Sequence, residues 1–205
     1  MTTIDYYMSC ISPWTYLGHA AAREIAARHG ARLNVKPVNL GDLFKVTGQV
    51  GLADRPPARQ RYRLIELQRY AEMRGRKLNL KPKHFPTDPS LADHTVIALL
   101  EAGSDPLDYT EAVLSAIWAE ERDIADETTL SQALQACGFD AAHVLEQAKS
   151  PEIAAIRAAN SADAIALDAI GVPSFVLNGE PFWGQDRLDM LDRAWSTGRA
   201  PYRSA

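Results

Sequence analysis

The sequence predicts an α/β fold whose strands lie towards the two ends of the chain and are separated by a long all-helical block. Three observations predict it. An alternating apolar strand passes directly into an amphipathic helix near the start; the stretch from about Leu40 to Leu167 carries helical periodicities and no convincing strand; and two short strands with a hairpin signal follow it.

From Ile4 to Met8 the apolar positions alternate as in a half-buried strand. Trp14, Leu17, Ala21 and Ile25 then recur at helical spacing until His29-Gly30, where the glycine ends the helix. Leu33 to Val38 reads as the second strand. Two strands flanking one helix make a βαβ unit, and its right-handed crossover requires the strands to be parallel. Helical patterns then cover Arg59 to Arg74, Ser90 to Ala102, Leu107 to Ala119, Thr128 to Cys137, Asp140 to Lys149 and Pro151 to Ala169. Pro56-Pro57, Lys81-Pro82, Phe85-Pro86, Asp88-Pro89 and Ser150-Pro151 mark loops or helix starts between them. Ser174 to Leu177 is a strand, Asn178-Gly179 a hairpin turn, Pro181-Phe182-Trp183 the return strand, and Asp186 to Ser196 the last helix. No repeat or flexible linker divides the chain, so both parts are expected to pack as one unit with a cleft between them.

The 205 residues are 46% hydrophobic, enough for a substantial core, and the net charge of −4 gives no electrostatic reason to expect a nucleic-acid partner. Neither a leader pattern nor a stretch long enough to span a bilayer is present, so the expected location is cytoplasmic, with no membrane partner. The two cysteines, Cys10 and Cys137, read as free thiols, Cys10 as a buried small hydrophobe. None of the five histidines shows a metal-ligand spacing, and no metal is expected. Ser12 does not sit in a Gly-x-Ser-x-Gly elbow, which argues against a Ser-His-Asp hydrolase.

Ser12-Pro13-Trp14-Thr15 puts a hydroxyl at a helix N-terminus, where unpaired N–H groups and the helix dipole favour an anion. On its own, such a serine is also an ordinary N-cap. Downstream, Gly171-Val172-Pro173-Ser174-Phe175 opens one strand, and Trp183-Gly184-Gln185-Asp186 closes the next. The three segments are expected to meet. Asp186 also reads as the N-cap of the last helix.

Ser12-Pro13-Trp14-Thr15 resembles the Cys-Pro-x-Cys of DsbA-type disulfide oxidoreductases of the thioredoxin fold, with both cysteines replaced. Together with Tyr16-Leu17, Arg61-Tyr62-Arg63, His84-Phe85-Pro86 and the run from Phe182 to Leu188, it is similar to the 2-hydroxychromene-2-carboxylate isomerases and related kappa-class glutathione transferases. The resemblance covers essentially the whole chain. It implies a thioredoxin-like fold with a large all-helical insertion, the thioredoxin-like domain split into 1–39 and 168–205 around an inserted domain of 40–167.

The resemblance further implies glutathione as cofactor, with Ser12 donating to its sulfur and, with the helix dipole, shifting the thiol towards thiolate. Val172, before a cis Pro173, would pair with the cysteinyl part as a short added strand. Asp186, aided by Gln185 and the backbone of Trp183 and Gly184, would hold the γ-glutamyl ammonium. In relatives an Asn-Arg pair and a nearby lysine contact the substrate; here the matching pair is Asp54-Arg55, and the lysine, Lys45, stands one place out of gapless register. Tyr16, His84, Phe85, Trp118 and Trp183 are candidate walls of an aromatic pocket. The implied reaction is glutathione-dependent isomerisation of a 2-hydroxychromene-2-carboxylate in naphthalene-type degradation. Its alternatives are a kappa-like glutathione transferase acting on another aromatic electrophile and a non-redox DsbA-like glutathione or peptide binder. A small aromatic carboxylate is therefore the expected substrate and a homodimer the expected assembly.

Overall fold

The computed structural model describes residues 3–203; the outermost residues of the two predicted end segments, 1–2 and 204–205, lie outside the described residues. Strand β1 (Thr3–Met8) pairs in parallel with β2 (Arg32–Pro37), with Tyr6 opposite Val35, and α1 (Pro13–Arg28) makes the crossover. On its other side β1 pairs antiparallel with β3 (Ser174–Leu177), which turns through Asn178 and Gly179 into β4 (Glu180–Trp183). The sheet order is β2-β1-β3-β4. Both turn residues have positive φ, 53° and 80°, as a two-residue hairpin with native twist requires.

β1 is central, so both of its faces are covered: Ile4, Tyr6, Tyr7 and Met8 are all fully buried. The face of Tyr6 and Met8 carries the large core, shared with α1, α4 (Ser90–Glu101) and α5 (Leu107–Trp118). The opposite face carries a smaller cluster in which Tyr7 and Val176 pack with Leu43, Ala164 and Val172. Cys10 lies fully buried in the larger core, as its reading as a small hydrophobe requires, and burial followed by the Asp93 charge pushes its thiol well up.

The helical block contains one element that the sequence patterns do not predict, α2 (Leu40–Thr47). It spans barely two turns, has Gly41 in its first turn and buries only Leu43, so it lacks a readable periodicity. Its ends are nevertheless well marked. Asn39 accepts from the Gly41 N–H at 2.9 Å, and Gly48 closes the helix at φ 70°. The remaining helices lie within a few residues of their predicted bounds: α3 (Pro57–Met73), α6 (Glu127–Ala136), α7 (Ala141–Ala148), α8 (Pro151–Ala166) and α9 (Leu188–Thr197).

Two predicted ends shift. α8 stops three residues early, where Asp168 adopts φ 55° and the Ala169 N–H returns to Ala164 O at 2.9 Å. The last helix begins later than Asp186, because Gln185–Arg187 form a 3-10 turn before it. Arg187 is therefore the capping residue of α9, and the Asp186 carboxylate pairs with Arg187 instead of capping the helix. Gly18 lets that turn dock closely on α1, since a Cβ there would stand 2.6 Å from the Gln185 Cβ. Among the described residues no helix is long and apolar enough to cross a membrane.

Candidate functional site

Ser12 follows a tight turn in which its N–H donates to Ser9 O at 3.1 Å. Its backbone is extended, and its Oγ accepts from the Thr15 N–H at 3.2 Å, so it is the N-cap of α1. That bond uses a lone pair and leaves the hydroxyl proton free to be donated. Pro13 has no N–H, Thr15 has spent its own on the cap, and the Trp14 N–H has no intrahelical carbonyl to reach. Hydroxyl proton and amide together face the same end of a sixteen-residue helix. Thr15, at the place of the second cysteine in a Cys-Pro-x-Cys motif, is completely buried.

The three segments singled out in the sequence do meet. Val172-Pro173 is a cis peptide, and Pro173 O accepts from the Gly184 N–H at 2.8 Å, which ties the proline loop to the turn after β4. Arg74, just beyond α3, donates to Gln185 Oε1 at 3.2 Å and to Gln185 O at 3.0 Å, joining that turn to the helical block. Gly171 allows the Trp183 indole to lie against the loop, as a Cβ there would be 2.6 Å from Nε1.

Gly184 sits at φ 103°, ψ 150°, a region open essentially to glycine, and a Cβ there would be 2.3 Å from Asp186 Oδ1. Gly184→Ala is expected to cost about 1–3 kcal/mol of stability from backbone strain. A urea midpoint equal to that of the parent would refute this.

Between these elements and the helical block lies a cleft of about 490 Å³. Ser12, Val172, Trp183, Gly184, Gln185 and Asp186 line one side of it, and Arg55, Arg63, Tyr70 and Phe85 line the other. Of the predicted site residues, Lys45 is not brought in: it lies in the last turn of α2, exposed to solvent, and pairs with Asp42 at 2.9 Å. Asp54 lies in a 3-10 turn outside the lining, its carboxylate beside Gly51, while Arg55, the next residue, reaches the cleft and donates from Nε to Val50 O at 3.1 Å. His84 lies outside the lining with Nδ1 3.7 Å from Asp123 Oδ2, whereas Phe85 beside it is in the wall, at a second cis peptide, Phe85-Pro86.

Of the predicted aromatic walls, Phe85 and Trp183 line the cleft, but Tyr16 and Trp118 are core residues. The Tyr16 hydroxyl donates to Lys77 O at 2.7 Å, and Trp118 supports Phe85 from behind at 5.0 Å between ring centroids. Their places are taken by Trp14 and Tyr70, which meet edge to face at 6.1 Å. Arg63 also enters the lining; it belongs to the dense basic stretch from Arg55 to Arg63, and that density was its sequence signal. His19 is structural: Nδ1 meets the Tyr6 hydroxyl and Nε2 the Leu107 carbonyl, and burial pushes its pKa down to about 4.

A four-stranded sheet with a parallel βαβ start, an antiparallel hairpin and a helical block set between them defines a thioredoxin-like α/β core with a large helical insertion, the fold class of DsbA and of kappa-class glutathione transferases. The chain belongs to the DSBA-like thioredoxin domain family, whose pattern matches residues 3–196. It is homologous to 2-hydroxychromene-2-carboxylate isomerase: it is 27% identical over 192 residues to that of Sphingobium xenophagum, spanning 93% of this chain and 96% of the relative. Among solved structures, a 2-hydroxychromene-2-carboxylate isomerase superposes with a TM-score of 0.80 at 23% identity, covering 95% of each chain. The cytosolic disulfide reductase DsbM of Pseudomonas aeruginosa, solved with GSH, superposes with a TM-score of 0.67 at 18% identity, covering 95% of this chain and 96% of that one.

Proposed function

We propose that this protein is a glutathione-dependent isomerase that interconverts 2-hydroxychromene-2-carboxylate and trans-o-hydroxybenzylidenepyruvate. One observation carries the reading: a single apolar cleft brings the Ser12 hydroxyl at the start of α1 together with the cis-Pro173 loop, the turn from Trp183 to Asp186 and the Arg55 guanidinium. The isomerase name borne by the homologous chains supports it.

The residues present fit glutathione. Gln185 lines the cleft, and its Nε2, buried with no partner among the described residues, is a donor suited to the γ-glutamyl carboxylate. Asp186 supplies an acceptor for the ammonium beside that carboxylate, and Val172 presents backbone next to the cis bond for the cysteinyl part. Ser12 Oγ–H and the Trp14 N–H would face the sulfur, where both favour the ionised thiol. When bound, glutathione supplies a thiolate nucleophile that lets the substrate's ring open and its double bond return in the trans form.

The chain's own part is positioning. The aromatic body of the substrate is held among Trp14, Tyr70, Phe85 and Trp183, and Arg55 holds its carboxylate through charge-assisted hydrogen bonds. Two carboxylates in the lining leave that cation free, because Glu66 pairs with Arg69 and Asp186 with Arg187. The test is an absorbance assay of hydroxychromene carboxylate with and without glutathione, with the thiol titrated afterwards. Turnover that requires glutathione and leaves its concentration unchanged is the expected result. Stoichiometric loss of the thiol would identify a transferase, and conversion independent of glutathione would overturn the reading.

A further inference from the structure

Most arginines of this chain that reach into the molecule are neutralised. Arg76 meets Glu111, Arg157 meets Asp93, and Arg199 meets Glu180. Arg55 and Arg63 both line the cleft, and among the described residues neither forms an ion pair with a carboxylate. Burial, followed by a neighbouring guanidinium charge, lowers both pKa values: Arg59 acts on Arg55, and Arg55 acts on Arg63, whose pKa is brought down to about 10. Two like charges partly withdrawn from water without a counter-ion are costly, and an anion placed between them would relieve both desolvation and repulsion.

The setting of Arg63 is that of a held recognition group. Its guanidinium lies 5.7 Å from the centroid of the Phe85 ring, and that ring is backed by the buried Trp118. A guanidinium packed over an aromatic face keeps its in-plane N–H edges available to acceptors. Lys45, Asp54 and His84, the other groups that the sequence offered for the substrate, lie outside the lining, so the cations left on this wall are Arg55 and Arg63.

We propose that Arg63 is the second arm of a two-arginine clasp that, with Arg55, seats the carboxylate of a planar aromatic acid, the ring of the acid lying against Phe85. This inference rests on the reading of the cleft as an aromatic carboxylate site. It makes the site selective for aromatic acids over their neutral isosteres.

Two stable probes test it in calorimetry on the purified full chain: chromone-2-carboxylate and the uncharged chromone-2-carboxamide. The parent protein is expected to prefer the carboxylate. Arg63→Gln should weaken carboxylate binding by roughly tenfold to a hundredfold, the value of a hydrogen bond to a charged group, while leaving the carboxamide and glutathione affinities within about twofold, tenfold being 1.4 kcal/mol. Arg63→Lys, which keeps the charge and the helix, should recover only part of the preference. Equal binding of the two probes by the parent, no binding of the carboxylate, or a preference that survives Arg63→Gln would each overturn the clasp. Those outcomes are separate from the function itself, since glutathione-dependent turnover can persist with Arg55 alone, and the clasp can be present in a protein that isomerises nothing.

Discussion

Asp93→Ala is expected to destabilise the protein by about 3–5 kcal/mol, the cost of leaving one member of a buried ion pair without its partner. Asp93 on α4 is wholly buried and accepts from Arg157 Nη2 at 2.7 Å, from Ser9 Oγ at 3.1 Å and from the Cys10 N–H at 2.8 Å. Burial raises its carboxyl above the ordinary range, and Arg157 acts in the opposite direction. Arg157, on α8, is itself only 8% exposed. Removing the carboxylate strands a buried guanidinium, a hydroxyl and an amide at once, whereas removing both charges leaves only the smaller polar losses. Arg157→Met should therefore also be strongly destabilising, and Asp93→Ala with Arg157→Met should cost clearly less than the two single changes summed. Urea midpoints of the four proteins check this; single effects below about 1 kcal/mol that simply add would show that the pair is not a brace. The effect reaches the site because Ser9 and Cys10 lead into the turn that presents Ser12, so the helical block holds the helix start from behind.

That brace illustrates what the sequence conveys and what it withholds. The strands, the parallel start and most helices were legible because each has a period or a punctuation mark: alternation from Ile4 to Met8, Asn178-Gly179 at the hairpin, Ser150-Pro151 at the start of α8. The site segments around Ser12, Pro173 and Trp183 were legible because their motifs are local. The partners of Asp93 were not, because they come from residues 84, 83 and 64 positions away in the chain. Lys45 lies outside the cleft for a related reason: α2, which buries only Leu43, carries no readable period, and its turn directs the lysine to Asp42 at i−3. Likewise Tyr16 and Trp118 differ from Trp14 and Tyr70 only in which side of the wall they occupy, and composition does not encode sides.

On the proposed function, Ser12→Ala should raise the pKa of bound glutathione by roughly 1–2 units, since a hydrogen bond to a charged group contributes about 1.5–3 kcal/mol and one unit corresponds to 1.36 kcal/mol. At pH values below the pKa of the parent's bound thiol this would lower the thiolate fraction and turnover by about tenfold to a hundredfold while leaving glutathione affinity largely intact, the difference closing as the pH rises past the raised pKa. The same change removes an N-cap, which costs about 1 kcal/mol of stability, so loss of activity alone would not separate the two roles of the hydroxyl. Ser12→Asp does separate them. Aspartate accepts from the Thr15 N–H as serine does and should restore the urea midpoint, but it has no proton to donate to the sulfur and adds a like charge beside it. Its bound thiol is expected to have the highest pKa of the three proteins and its turnover to be the lowest. Thiolate absorbance against pH, measured beside the unfolding midpoints, reads both properties in the same samples. If turnover instead follows stability, recovering in Ser12→Asp, then Ser12 is a cap alone, and the anion-stabilising role falls to the Trp14 N–H and the dipole of α1.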